Sequence, residues 1–115
     1  MGAGGEVMRR FLHSLAAALV LWPGAGDARP VIATVYDGWY HGRVAYCGRV
    51  YQHWGVSAAH PWLPCGTRVM VRHRGRVLMV PIWDRCDCNS IDLSAGAAAA
   101  LGMPLDGIAT VDISY

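Results

Sequence analysis

The sequence predicts a mostly β domain, a small closed barrel of about six short strands with one short helix, behind an N-terminal signal peptide. Short β-branched segments, separated by turn residues, recur from residue 29 to residue 115. A single alanine-rich run has the caps of a helix. So many short strands in so small a domain favour a sheet that closes on itself, because closure removes exposed edges.

Residues 1–28 have the order of features of a secretory signal peptide. Arg9-Arg10 precede the apolar run 11–22, and the small and turn-forming residues 23–28 follow it. The apolar run is too short for a membrane span, which needs about 20 residues. We expect cleavage after Ala28 and a periplasmic or secreted domain over 29–115 that is not held at a membrane. The alternative is a hydrophobic helix packed on the domain.

Composition narrows the class of partner. The chain has 115 residues, enough for one domain, and a net charge of +2. It has no lysine and no basic run, so a nucleic-acid partner is not expected. A weakly positive surface is compatible with an acidic wall polymer. We expect a monomer.

The first half of the domain alternates between strands and long loops. The segment 31–36 is an alternating β-branched strand that ends at Asp37-Gly38. The loop 39–54 is rich in aromatic residues and histidine, and loops of that length in small domains tend to carry function. For each of its rings, core packing is favoured over contact with a sugar. A short strand, 55–59, then leads into the proline-containing loop 60–66.

The second half contains a hairpin, a helix and a last strand. The predicted elements are a hairpin of 67–73 and 76–83 around Arg74-Gly75, a short segment at 91–93, a helix over 95–101 and a strand over 108–115. Ser94 is suited to cap the helix, and Gly102 to end it. Pro81 has no N–H for a ladder, so its strand should reach an edge or a bend there.

Acidic residues cluster where the strand 76–83 ends. Three of the eight acidic residues lie between positions 83 and 94, namely Asp84, Asp87 and Asp92. Partial burial disfavours the charged form of a carboxyl group, so acids at the end of an apolar strand are candidates for acid/base chemistry. The alternative is that each carboxylate caps backbone N–H groups in a tight loop.

The four cysteines predict two disulfides. Cys47, Cys65, Cys86 and Cys88 are an even number in a small exported domain, and three pairings are open. A zinc site with His60 or His73 is disfavoured, because Cys86 and Cys88 are the only close pair and their spacing is wrong for a knuckle. We expect neither a metal nor a cofactor.

Several phrases together resemble the RlpA-like (rare lipoprotein A) family, which is related to expansins, barwin and family-45 endoglucanases. The phrases are Ala33-Thr34-Val35-Tyr36-Asp37-Gly38, the segment 57–69 (SAAHPWLPCGTRV), Trp83-Asp84-Arg85, Ile91-Asp92-Leu93-Ser94 and Leu101-Gly102-Met103. They stand in the family's order and cover almost all of 31–115. The resemblance implies a six-stranded double-psi β-barrel with a polysaccharide-binding groove across one face.

The resemblance also implies a function and a set of site residues. Bacterial members include lytic transglycosylases that cleave peptidoglycan glycan strands, which makes such strands, or a related wall polysaccharide, the expected partner. The family's aspartate in its Asp-Arg phrase matches Asp84, and its histidine in Ala-Ala-His matches His60. The expansin-type aspartate before Leu-Ser matches Asp92, and all three are the expected catalytic residues. We expect Tyr36, Trp62 and Arg85 to bind substrate in the groove, with core packing as the open alternative for Tyr36 and Trp62.

The chain departs from the family pattern at two places, of which the first, Arg49, favours a function without catalysis, while Asp84 with His60 favours the enzyme. Arg49 stands where active members carry a glutamate, and Cys86-Asp87-Cys88 replaces the usual Gly-Pro-Phe. The alternative to an enzyme is therefore an expansin-like module that binds wall polysaccharide without cutting it. A secreted defence or inhibitor protein of the barwin kind is a third possibility.

Lytic cleavage needs one carboxyl group that acts as acid and then as base, rather than the paired acids of ordinary glycosidases. Asp84 is the first candidate because it stands at the end of an apolar strand. Asp92 is the second candidate, and its alternative role is to form hydrogen bonds with the backbone. His60 is expected to bond Asp84 or a sugar hydroxyl, or else only loop backbone.

The resemblance also bears on the disulfides. In the family fold, the loops that hold Cys47 and Cys65 lie side by side, which favours a Cys47–Cys65 bridge. Whether Cys86 bonds to Cys88, or each of these two bonds to Cys47 or Cys65 instead, stays open.

Overall fold

The computed structural model describes residues 28–88 and 90–115. The predicted signal peptide falls on residues outside the described ones, apart from Ala28. The elements are strands β1 (Arg29–Val35), β2 (Ala58–Ala59), β3 (Arg68–His73), β4 (Arg76–Asp84), β5 (Ile91–Leu93) and β6 (Ala109–Ser114), the helix α1 (Ala95–Ala100), and a 3-10 turn at Gly38–Tyr40.

The six strands close into a barrel in the order β1-β5-β2-β4-β3-β6. The β1–β5 and β2–β4 pairs are parallel, and the other four pairs are antiparallel. The predicted mostly β barrel with one short helix is therefore confirmed. The order along the chain is not the order around the barrel, so residues far apart in sequence meet on one face.

The barrel interior is filled by the inward-facing half of each alternating strand. Fully buried side chains include Val69, Val80, Ile82, Ile91 and Leu93. Burying branched aliphatic side chains contributes about 1.5–3 kcal/mol each to folding. Since the other half of each strand faces outward, the barrel surface is free to carry polar groups.

Local signals in the hairpin and the helix gave the correct elements. The hairpin turn has Arg74 at φ 47° and Gly75 at φ 81°, the two positive φ values that a tight β-hairpin turn requires. The Ser94 side chain accepts a hydrogen bond from the N–H of Ala97, and Gly102 follows the helix at φ 70°.

Pro81 lies at a junction rather than at an edge. The prediction was an edge or a bend at Pro81. Strand β4 is flanked by β2 and β3 within the closed barrel, so there is no edge there, but the register shift against β2 follows directly, at Ile82–Asp84. The β3–β4 ladder ends at the pair Arg68–Pro81, and pairing with β2 begins at Ile82. The missing N–H of Pro81 therefore falls at the last pair of the β3–β4 ladder, and the next residue, Ile82, donates to the Thr67 carbonyl at 2.9 Å.

Both disulfides are formed. Cys47 is bonded to Cys65, with the two Cα atoms 5.7 Å apart, and Cys86 is bonded to Cys88. The favoured pairing of Cys47 with Cys65 is confirmed, and the open question on Cys86 and Cys88 is answered by their direct bridge. The first disulfide joins the aromatic loop to the proline-containing loop.

Candidate active site

Four residues lie in register across four strands of the barrel. Thr34 of β1 pairs with Asp92 of β5, Asp92 pairs with Ala59 of β2, and Ala59 pairs with Asp84 of β4. Residues in register on neighbouring strands point to the same side of a sheet. The two aspartates therefore share a face, with Cα atoms two strand spacings, or about 10 Å, apart.

A shift of register brings Asp84 to that face. Ala58 pairs with Ile82, whereas the next residue, Ala59, pairs with Asp84, so β4 accommodates one extra residue, Trp83. In a regular strand, Asp84 would point the same way as Ile82, into the core. Because of the shift, Ile82 is in the core while Asp84 is only partly buried.

Both oxygens of the Asp84 carboxyl group accept hydrogen bonds. Oδ2 accepts from the hydroxyl of Tyr36, and Oδ1 accepts from the main-chain N–H of Tyr46 at 2.8 Å. Two donors fix the orientation of the carboxylate. A hydroxyl group can also accept, so Tyr36 is able to bond a protonated Asp84 as well.

Tyr36 is held by other rings and stays neutral. Its ring stacks on Tyr51 with centroids 4.6 Å apart, and Tyr40 meets it edge-on at 5.5 Å. Burial raises the pKa of the Tyr36 phenol well above its usual range, and the hydrogen bond to Asp84 and the charges of Asp84 and Asp92 raise it further. Tyr36 therefore keeps its proton throughout the physiological pH range.

Asp92 is a half-buried carboxyl group bonded to its strand neighbour. Its Oδ1 accepts a hydrogen bond from the Thr34 hydroxyl at 2.8 Å. Burial raises the pKa of Asp92, the negative charge of Asp84 raises it further, and the bond from Thr34 opposes both effects. Asp92 thus holds a proton to higher pH than an exposed aspartate does.

The His60 ring bonds loop backbone. Its Nδ1 accepts from the N–H groups of Trp62 and Leu63, at 3.2 and 3.1 Å. The described structure has no bond from this ring to the Asp84 carboxylate; His60 meets Asp84 through the main chain, N–H to carbonyl, at 3.1 Å. Burial and the nearby Arg85 lower the pKa of His60, so the ring is neutral with its proton on Nε2.

Arg85 secures the same loop from the other side. Its guanidinium donates to the carbonyl oxygens of His60 and Leu63 and lies 5.0 Å from the ring centroid of Tyr46. Trp62 is 63% exposed and touches His60 and Tyr115 edge-on. His60 and Trp62 therefore lie on one loop, and Arg85, the residue after Asp84, is hydrogen-bonded to that loop.

A small cavity of about 20 Å³ adjoins Asp84, with room for a single hydroxyl group or water molecule. Tyr36, Tyr40, Arg43 and Tyr51 are among its lining residues.

Core packing was the wrong expectation for several rings of the surrounding loop, which remain strongly exposed: Trp39, Tyr46 and Trp54. Exposed rings next to a carboxyl group are suited to sugar contacts, because apolar sugar faces stack on aromatic rings.

Sequence reasoning missed three residues of this site. Tyr46 contributes a main-chain N–H, which no side-chain pattern reveals. Tyr51 supports Tyr36 by stacking, and burial raises its pKa to about 12. Thr34 could have been found, because it alternates with core residues of β1 and so had to point outward.

Comparison with known proteins places the barrel in a family. The family model described as lytic transglycolase matches residues 32–113, which is most of the chain. The chain belongs to the RlpA-like lytic transglycolase family. Its fold is the family's double-psi β-barrel.

Relatives of this RlpA-like chain occur in cyanobacteria. An uncharacterised protein of Synechocystis sp. is 44% identical over 84 residues, which is 71% of this chain and 92% of that protein. A "Probable endolytic peptidoglycan transglycosylase RlpA" of Synechocystis sp. is 40% identical over 85 residues, covering 70% of this chain and 26% of its own length. Its namesake in Nostoc sp. is 42% identical over 90 residues, 71% of this chain and 24% of that protein. The RlpA-like chain thus spans about a quarter of these two RlpA proteins.

Two solved structures resemble the RlpA-like barrel. The Streptomyces papain inhibitor has a TM-score of 0.65 and 29% identity, covering 77% of this chain and 94% of its own. A mutant expansin of Clavibacter michiganensis in complex with cellohexaose has a TM-score of 0.61 and 22% identity, covering 75% of this chain and 48% of its own. The expansin likeness concerns the fold alone.

Two further observations concern the described residues of the RlpA-like chain. None of their helices has the length and apolar character needed to cross a membrane. Their four cysteines are all in disulfides, and no three His, Cys, Asp or Glu side chains among them are grouped as metal ligands would be.

Proposed function

We propose that this domain cleaves peptidoglycan glycan strands as a lytic transglycosylase, with Asp84 as the group that transfers protons. The observation that carries the proposal is the pair of hydrogen bonds that Asp84 accepts from Tyr36 and Tyr46 beside a small cavity. The family and its peptidoglycan transglycosylase relatives support the reaction class.

The reaction requires two proton transfers at one carboxyl group. Asp84 in its acid form gives its proton to the glycosidic oxygen as the bond from that oxygen to C1 of muramic acid breaks. The resulting carboxylate then takes the proton of the C6 hydroxyl of the same sugar, whose oxygen forms the new bond to C1. Asp84 regains its proton, no water is consumed, and the product ends in a 1,6-anhydro ring.

Tyr36 supports Asp84 in both protonation states. It donates to the carboxylate and can accept from the acid, because its hydroxyl both donates and accepts and its raised pKa keeps it neutral. The Tyr46 N–H holds the other carboxyl oxygen in place. Asp84 can therefore change its charge without losing its orientation, which is what a group acting first as acid and then as base needs.

The neighbouring residues act by position. Asp92 lies in register with Asp84 across Ala59, on the same face of the barrel. His60 and Arg85 are positioning residues that hold the loop next to Asp84, and Trp62 on that loop offers an exposed ring to a sugar. We place this activity outside the cytoplasm, where wall glycan is found, and expect a monomer to suffice.

A non-catalytic, expansin-like module that grips wall polysaccharide is the second candidate. One observation favours it: Arg49 occupies the position at which active family members carry a glutamate, and its guanidinium lies over the Trp83 ring, 4.6 Å from the centroid. Such a module would bind through the same face and leave the glycan intact.

Digestion of peptide-free glycan strands separates the two candidates. The purified domain is incubated with the strands, and the soluble products are analysed by mass spectrometry. A lytic transglycosylase releases fragments with 1,6-anhydromuramyl ends, which are lighter by one water than hydrolysis products. Release of hydrolytic ends, or binding without any release, would contradict the proposed reaction.

A further inference from the structure

A second cleft, of about 350 Å³, lies beside the Cys47–Cys65 disulfide. Its lining includes Trp83, Pro81 and two cationic side chains, Arg49 and Arg68. Arg49 lies on the long loop between β1 and β2. Arg68 is the first residue of β3, where it pairs with Pro81. Arg49 and Arg68 therefore line one cleft from different parts of the chain.

Neither guanidinium is neutralised within the described residues. No carboxylate of residues 28–88 or 90–115 forms an ion pair with Arg49 or Arg68. Arg49 lies over the Trp83 ring, an arrangement that fixes the guanidinium and leaves its N–H donors available at the edge. Two uncompensated positive charges in a concave site attract an anion.

The chemistry of the donors favours a carboxylate. Guanidinium groups bind planar carboxylates through paired N–H···O bonds. The main-chain N–H of Gly66, which also lines the cleft, is already bonded to the Ile82 carbonyl at 2.8 Å. Recognition in the cleft therefore depends on Arg49 and Arg68.

The cleft is connected to the Asp84 site by one short segment. The N–H of Tyr46 bonds the Asp84 carboxylate, and the N–H of the next residue, Cys47, bonds the Trp83 carbonyl at 3.0 Å. Arg49 follows two positions later. The segment 46–49 thus runs along the end of β4 from the carboxylate to the cleft.

We propose that Arg49 and Arg68 form a subsite for the lactyl carboxylate of N-acetylmuramic acid in peptide-free glycan. This inference rests on the proposed function, because it assigns a part of the same substrate. Of the two sugars in peptidoglycan, only muramic acid bears a carboxyl group. That group is an anion where no stem peptide is attached, and a neutral amide where one is. The Arg pair therefore selects acidic, peptide-free strands over neutral glycans.

The test compares two forms of one glycan. Peptide-free strands are used as prepared, or after conversion of their lactyl carboxyl groups to methylamides with carbodiimide and methylamine. Binding of the full chain is measured on ice by calorimetry. We expect the wild type to bind the acidic strands about tenfold more tightly than the methylamide strands.

Variants assign the effect to the cleft. The Arg49→Gln/Arg68→Gln protein should lose about tenfold in affinity for acidic strands and keep its affinity for methylamide strands. Arg74→Gln is the control for charge outside the cleft: it removes one positive charge, against two in the double variant, from the turn at the far end of β3, about 20 Å from Arg68. It should bind both strands as the wild type does. Melting temperatures establish that each variant is folded.

Three outcomes would overturn the subsite. Equal binding of both strands by the wild type excludes carboxylate recognition while leaving the proposed function standing. A loss in Arg74→Gln as large as that in the double variant would mean that overall charge, not the cleft, attracts the glycan. Failure of the wild type to bind either strand contradicts the proposed function and the subsite together.

Discussion

The Tyr36 hydroxyl donates a hydrogen bond to Oδ2 of Asp84, joining the end of β1 to the end of β4 across 48 positions of the sequence. The two residues meet because β1 pairs with β5 in parallel, and β2 lies between β5 and β4 and pairs with both. It brings a phenol that keeps its proton into contact with a carboxyl group on the face that Asp84 shares with Asp92.

Replacing Tyr36 by phenylalanine tests this bond. The variant keeps the stacking on Tyr51 but loses the donor to Asp84, so we expect kcat for glycan cleavage to fall about 10- to 100-fold with little change in melting temperature. Tyr46→Phe is the control, because Tyr46 reaches Asp84 through its main chain. Equal activity of Tyr36→Phe and the wild type would remove Tyr36 from the mechanism.

Asp92 should make the fold less stable as the pH rises. Its raised pKa means that the folded chain binds this proton more tightly than the unfolded chain, whose value is near 3.8. Stability is therefore full below about pH 3.8 and falls as the pH rises through the folded pKa. Asp92→Asn, which can still accept from Thr34, should melt at a higher temperature than the wild type at pH 7 and at the same temperature in acid. Thermal unfolding across this range measures the difference, and a constant offset at every pH would contradict it.

His60 should make the fold less stable as the pH falls, the opposite of the effect of Asp92. Its lowered pKa means that the unfolded chain, with a value near 6.5, binds the proton more tightly, so the contribution to stability is present above that pH and is lost as the pH falls. His60→Ala leaves two N–H groups without their acceptor and should cost about 2 kcal/mol or more in free energy of unfolding. His60→Asn, with an oxygen near the place of Nδ1, should lose less. Denaturant titration distinguishes the two, and equal losses would argue against the acceptor role.

The two disulfides should contribute unequally to stability. The Cys47–Cys65 bridge closes a loop with a sequence separation of 18, and its removal by a double serine substitution should cost about 3 kcal/mol. Cys86–Cys88 has a separation of 2, so its removal should cost less. Urea unfolding of both double variants checks the order, and a larger loss for Cys86→Ser/Cys88→Ser would reverse it.

Much of the fold was accessible from the sequence because its signals are local. Alternation gave the strands, Arg74-Gly75 gave the hairpin turn, and Ser94 gave the helix start, since each depends on neighbouring residues. The short strand β2 was placed three residues too early, because Gly55 to Ser57 lead into the sheet without pairing.

The site was less accessible because it depends on long-range pairing. Asp84 reaches the face that it shares with Asp92 through a one-residue register shift, which the alternation of side chains along a strand does not predict. The Tyr46 contribution comes from the main chain and leaves no residue-type signal. The role of His60 depends on which nitrogen meets the loop N–H groups, and the identity of the residue does not determine that.

The most direct test of the account is the cleavage of peptide-free glycan strands by the Asp84→Asn variant. Asparagine keeps the shape of the side chain and an oxygen acceptor but cannot carry the transferred proton, so release of 1,6-anhydro products should fall about 100-fold or more while strand binding and melting temperature stay close to wild type. Asp87→Asn, the same change at an exposed position of the same loop, should cleave normally. Cleavage by Asp84→Asn at the wild-type rate would contradict the assignment of Asp84, and a wild type that binds the strands without releasing anhydro products would contradict catalysis itself.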